Sequence, residues 1–171
     1  MRQVWLSHTY YCLPRRAALL TLPLSLPDLP DELTSAVTLM SFPPFPEVPE
    51  PLRGQSFILT RGCYCGSSAE GRRLLRYWRY WQTPLMDLFG EMPFSQVATI
   101  SNDPVDPVPA LSSGAWLAEL SDEAAATIIR YGQPVRGQPA FLFVEVCHAG
   151  GAMARGPADR FRYSYARNSA P

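Results

Sequence analysis

Residues 55–81 read QSFILTRGCYCGSSAEGRRLLRYWRYW, and a change of period inside this stretch decides the fold. Its first half, 55–64, is a short apolar and β-branched run closed by Gly66, the pattern of a strand. Ser67-Ser-Ala-Glu70 then spells a capping box: the Ser67 hydroxyl accepts from the amide three residues on, and Glu70 reaches back. Leu74, Leu75, Trp78 and Trp81 follow at i, i+1, i+4 and i+7, which is one apolar helix face. Arg72, Arg73, Arg76 and Arg79 take the opposite side and read as a solvated stripe. Thr83-Pro84 ends the helix, because a residue before proline is pushed out of helical geometry.

Working outward, Leu33 to Leu39 is β-branched and short, and it predicts a second buried strand. Between the two strands lies Ser41 to Pro51, a connector with five prolines, expected to be extended and stiff. On the C-terminal side, Leu85 to Gly90 reads as a turn of helix. Pro93 to Ala98 reads as the start of another, with proline at a favourable first position. Asn102 to Pro109 is a loop, and Ser113 to Leu120 reads either as a strand or as an irregular segment. Ser121-Asp-Glu123 caps a helix reaching about Tyr131, with Ala124, Ala125, Ile128 and Ile129 toward the core. Pro139 to His148 is the strongest strand. Phe141, Phe143, Glu145 and Cys147 share one face, and Leu142, Val144, Val146 and His148 share the other. Ala152 to Arg155 resumes extended chain, and Arg160 to Tyr165 alternates as a further strand. The grouping strand, strand, helices, strand, strand predicts an α+β fold, a mostly antiparallel sheet with helices packed on one face.

The N-terminal 30 residues read differently. A short strand fits within Met1 to Tyr11, but Leu13 to Pro30 alternates leucine and proline, so residues 1–30 are expected as an irregular arm before a domain at 31–171. Arg15 and Arg16 before an apolar run resemble a signal peptide slightly. Pro23 interrupts that run and no small-residue cleavage site follows, so a cytoplasmic location is expected.

Composition bounds the chemistry. The chain has 171 residues, enough for one domain that buries roughly 70% of its unfolded surface. Hydrophobic residues make up 47% and charged residues 18%, which excludes disorder of the highly charged kind. Basic and acidic residues number 15 each, so neither a nucleic-acid nor an anionic-membrane partner is expected. No run of 18 apolar residues exists, so no membrane span is expected. All 15 basic residues are arginine, which excludes Schiff-base chemistry, a lysine base and a P-loop lysine. No glycine-rich phosphate loop follows a strand, and no GxSxG elbow is present.

Three constellations could carry chemistry. Glu145 and His148 lie on the best strand beside Gly150 and Gly151; regular alternation separates them and a bulge at the glycines would bring them together, while a paired edge-strand glutamate and a hydrogen-bonded histidine are the plainer reading. Cys63-Tyr-Cys65 puts two thiols on one sheet face. A metal there would need His8 or His148 as well, and buried small side chains are the plainer reading. Cys12, Cys63, Cys65 and Cys147 match no zinc spacing and are expected to be reduced and mostly buried, so no metal site is assigned. Tyr163 and Tyr165 share a face; phenols can move a substrate proton, though strand tyrosines commonly serve packing.

A string of collinear motifs carries a resemblance. It comprises Leu52-Arg-Gly54; Cys65-Gly-Ser-Ser-Ala-Glu-Gly71; Thr83-Pro-Leu-Met-Asp-Leu-Phe-Gly-Glu-Met-Pro-Phe94; Leu120-Ser-Asp-Glu123; and His148-Ala-Gly-Gly-Ala-Met-Ala-Arg155. The tail Arg167 to Pro171 resembles the segment before a further family strand. Over residues 31–171 this is similar to the substrate-binding region of berberine-bridge-enzyme-like FAD-linked oxidases, in the vanillyl-alcohol-oxidase (PCMH-type) flavoprotein superfamily. The resemblance implies an antiparallel sheet that faces a flavin, with helices outside. It implies oxidation of a small-molecule substrate by hydride transfer to FAD. The family's FAD-binding domain lies mainly N-terminal to the matched region, so the resemblance implies a partial oxidoreductase whose FAD site is not in this chain. Such a chain would be inactive without a separate FAD-binding domain or polypeptide as partner. An uncovered apolar face would favour self-association. The family places substrate-side polar groups on this sheet, which makes Glu145, His148, Tyr163 and Tyr165 the substrate-binding candidates; no catalytic residue is assigned. Two other readings are a non-catalytic interaction module that reuses the sheet surface and a truncated gene product without function.

Overall fold

The computed structural model describes residues 3–12, 30–81, 83–100, 111–117, 120–132 and 141–148. Strands β2 (Leu33–Ser41) and β3 (Ser56–Tyr64) form a hairpin with nine residues paired on each side, Leu33 opposite Tyr64 and Ser41 opposite Ser56. Strand β1 (Gln3–Cys12) pairs antiparallel with the other edge of β3. Two short strands, β4 (Met86–Asp87) and β5 (Gly90–Pro93), pair with β1 on its far side. Strand β6 (Phe143–Cys147) pairs with β2. The sheet runs β4-β1-β3-β2-β6 with β5 also on β1, and every pairing is antiparallel.

The expected α+β architecture is present. Helix α1 (Ser68–Trp81) and helix α2 (Asp122–Gly132) pack on the same face. That face is built from alternate residues: Leu33, Val37 and Leu39 of β2, Ile58 and Tyr64 of β3, and Val144 and Val146 of β6. Ala125 and Ile129 of α2 join Val37, Leu39 and Ile58 in one buried cluster, with Leu120, Ile128 and Val146 at its margin. Leu74 of α1 sits with Leu33 and Tyr64, while Leu75 and Trp78 sit with Phe89. Each such aliphatic or aromatic side chain taken fully from water contributes about 1.5–3 kcal/mol, which is why the period-2 and period-3.6 patterns select this arrangement.

Both helix starts follow their sequence signals. The Ser67 hydroxyl accepts from the Glu70 amide at 3.3 Å, and the Ser121 hydroxyl accepts from the Ala124 amide at 3.2 Å. The Glu70 carboxylate does not reach back, however. It is taken by Arg73 one turn on, whose Nε donates to it at 2.8 Å. Ahead of α1, the ring of Tyr64 lies against Gly66; a Cβ at residue 66 would overlap the phenol, so any larger residue there must displace the buried ring.

Several local expectations change. Residues 3–12 are a strand inside the sheet, paired on both sides, so the first part of the N-terminal segment belongs to the domain. The segment expected as a turn of helix at Leu85 to Gly90 is strand instead, because the outer edge of β1 offers backbone partners that so short a helix between prolines cannot match. Pro93 precedes a 3-10 helix, Phe94–Thr99, and does not open an α-helix. The proline-rich connector is folded back: it contains a 3-10 turn, Glu50–Leu52, and Arg53 Nε donates to the Val48 carbonyl. Residues 111–117 are irregular and exposed. The Leu/Pro run at 13–29, the loop at 102–109 and the strands expected at 152–155 and 160–165 lie outside the described residues.

Candidate functional site

The face of the sheet opposite the helices has two parts. At one end Phe57 and Leu59 are buried, and the ring of Phe42 meets Phe57 edge-on at 5.9 Å between centroids. At the other end a cleft of about 190 Å³ is lined by Thr34, Ala36, Arg61, Cys63, Glu145 and Ile100.

The register of three strands assembles the polar group of this cleft. Thr38 of β2 stands opposite Glu145 of β6, and Ala36 of β2 stands opposite Arg61 of β3. Alanine at position 36 is small enough for Arg61 to reach across it. Arg61 Nη1 donates to Glu145 Oε2 at 3.0 Å, and the fully buried Thr38 hydroxyl donates to the same oxygen at 2.7 Å. Both charged side chains are mostly shielded, at 18% and 28% exposure, so the pair is less screened than a surface ion pair. Oε1 of Glu145 keeps a weak contact from the Cys147 thiol at 3.5 Å. Burial pushes the Cys147 thiol above its ordinary range, and the neighbouring carboxylate adds to this. A thiol held protonated in this way is a poor nucleophile.

Cys63 lies on the same face, next to Cys65 just past the strand end. Their sulfurs are 3.7 Å apart. Burial first, and the Cys65 thiol second, push the Cys63 thiol up to about 12. For the three cysteines described, the expectation of mostly buried thiols fails: Cys65 and Cys147 are exposed and Cys63 is half-buried, because each sits on the face opposite α1 and α2 or beyond it.

Of the four residues expected at the site, the structure places Glu145 in the cleft. His148 continues the ladder regularly, its amide donating to the Ser35 carbonyl at 2.9 Å, so it stands one pleat step out of phase with Cys147 and is not brought to Glu145. Gly150, Gly151, Tyr163 and Tyr165 lie outside the described residues. Arg61 and Thr38 were missed by residue reading. The available signal was an arginine inside the apolar run of β3, matched by a glutamate inside that of β6.

Arginine stays charged and cannot act as a base, and the Cys147 thiol that contacts the Glu145 carboxylate is held protonated. What the cleft offers is a fixed carboxylate, a fixed guanidinium and an apolar wall at Ile100, enough to orient a small polar molecule. Among the described residues no group of three or more metal-ligating side chains occurs, and no helix is long and apolar enough to cross a membrane. Neither a protein-family model nor a curated protein matches the chain.

Proposed function

We propose that this chain is the substrate-binding region of an FAD-linked oxidoreductase and that the cleft at Arg61 and Glu145 receives its small-molecule substrate. The observation that carries the reading is the sidedness of the sheet. Both helices cover one face, and the shielded Arg61–Glu145–Thr38 group lies on the other, beside a cleft. The collinear motifs from Leu52 to Arg155 support the same reading. The cleft does not fit the cofactor itself. At about 190 Å³ it lies below the volume of pockets that hold drug-sized ligands, and its lining has no glycine-rich turn to cradle a pyrophosphate. In this reading FAD is held by a separate domain or polypeptide, and the hydride chemistry is the cofactor's. This chain's part is to bind and orient the substrate through Glu145 and Arg61. The exposed Phe141, Leu142 and Phe143 beside β6 favour self-association or a protein partner at that edge, and the free thiols favour a cytoplasmic setting.

Titrating the purified chain with FAD and following flavin fluorescence tests the division of labour. No stoichiometric quenching is expected; tight one-to-one binding would sink the reading. Adjoining coding sequence, read in all frames, is expected to encode a flavin-binding domain, and its absence there counts against a split or interrupted enzyme.

A further inference from the structure

We propose that Cys63 and Cys65 form a two-thiolate chelate for a soft divalent cation on the face of the sheet opposite α1 and α2. The proposal does not rest on the substrate reading: Cys63 also lines that cleft, but the Arg61–Glu145 pair takes no part in the chelate.

The two thiols are set in place by their backbone. Cys63 is held in the sheet between Leu6 and Thr34, and the Cys65 amide donates to the Glu32 carbonyl at 3.1 Å. Tyr64 between them is buried on the helix side, which anchors the intervening residue and sends both sulfurs the other way. The resulting sulfur–sulfur distance is 3.7 Å. Two sulfurs bound at about 2.3 Å in a tetrahedral shell are about 3.8 Å apart, so the bite already suits such an ion. A disulfide demands about 2.05 Å, and an extended i, i+2 pair with both amides bonded must distort to reach it. Thiolate pairs select soft ions over magnesium or calcium. Neither His8 nor His148 is needed as a ligand: the two remaining positions are open to water, and Cys65 is exposed. Binding replaces two S–H bonds by two S–metal bonds and releases two protons to solvent, with no change of oxidation state.

Cadmium ion, added to the reduced chain under a phosphine reductant, is the probe. Thiolate-to-cadmium charge-transfer absorption is expected to saturate at one ion per chain. Mass mapping after iodoacetamide, compared between the metal-free and the loaded protein, is expected to show Cys65 alkylated without cadmium and protected with it, while the extent of Cys147 alkylation is the same in both. Cys65→Ser and Cys63→Ser are expected to weaken binding about a hundredfold each, since either leaves a single ligand, while Cys147→Ser and Cys12→Ser leave it unchanged. Protection that falls on Cys147 or Cys12, or no cadmium uptake by a chain with free thiols, overturns the proposal. The protection map uses the unmodified chain, so it decides the matter even if a serine variant fails to fold.

Discussion

Gly62 is the point at which helix α1 docks on the sheet, and Gly62→Ala tests that docking directly. The residue sits in β3 on the helix face, under the indole of Trp78. A Cβ there would lie 2.6 Å from Trp78 Cη2, 2.8 Å from Cζ3 and 3.5 Å from Phe89 Cε1. Ordinary carbon contacts are about 3.5–4.0 Å, so the indole must withdraw by about 1 Å. It has little room to do so. Trp78 and Phe89 are 4% and 8% exposed, their ring centroids are 5.0 Å apart, and Leu75 closes the cluster. Overpacking of this kind costs about 1–3 kcal/mol. Replacing a strand glycine returns about 0.5–1 kcal/mol of backbone entropy. The net expectation is a loss of about 1–2 kcal/mol, which at a urea slope of about 2 kcal/mol per M lowers the midpoint by about 0.5–1 M. Far-UV circular dichroism is the suitable signal, since tryptophan fluorescence is itself altered. In a Trp78→Leu background the same alanine meets no indole and is expected to become neutral or mildly stabilising. A Gly62→Ala protein as stable as the parent, or an equal loss in both backgrounds, refutes the account of α1 docking.

Three further outcomes follow from the two faces of the sheet. Thr38→Val keeps the shape of a fully buried residue but removes the 2.7 Å hydrogen bond to Glu145, and should lower unfolding free energy in urea by about 1 kcal/mol, because the part-exposed carboxylate recovers some hydration. Burial, aided by the carboxylates of Glu70 and Glu32, raises the Tyr64 phenol above its ordinary 10.0. The folded state thus favours the neutral phenol, so this stability is whole below pH 10 and is lost as pH rises through the folded value. Melting temperatures taken from about pH 9 to 11 should fall less steeply in Tyr64→Phe than in the parent, and parallel curves contradict the assignment. In the metal-free chain Cys63, pushed up to about 12, should alkylate far more slowly at pH 8 than an unstructured cysteine peptide; mass-resolved iodoacetamide kinetics give the comparison, and equal rates exclude the shielding described for it.

What was legible in the sequence divides along the range of the physics. Strands β2, β3 and β6 and both helices show in their own periodicity, because each buries an alternating or 3.6-residue set of its own side chains. The strands β4 and β5 do not, because two and four residues between prolines carry no period; they exist through the outer edge of β1, and only pairing reveals it. The site is harder still. Glu145 was visible as a carboxylate in a strand, but its partners are 107 and 84 residues away and share no motif with it. They meet because Leu39 stands opposite both Ile58 and Val144, and Val37 opposite Thr60 and Val146, an alignment that buries Val37, Leu39 and Ile58 under α2. A slip of one residue in β6 would carry Glu145 into that apolar layer and expose Val144 and Val146. The hydrophobic face therefore fixes the polar one. The Arg61–Glu145–Thr38 group adds little to the choice of register and inherits it from the core on the other side, which explains why a polar cleft can sit on a sheet whose stability is decided elsewhere.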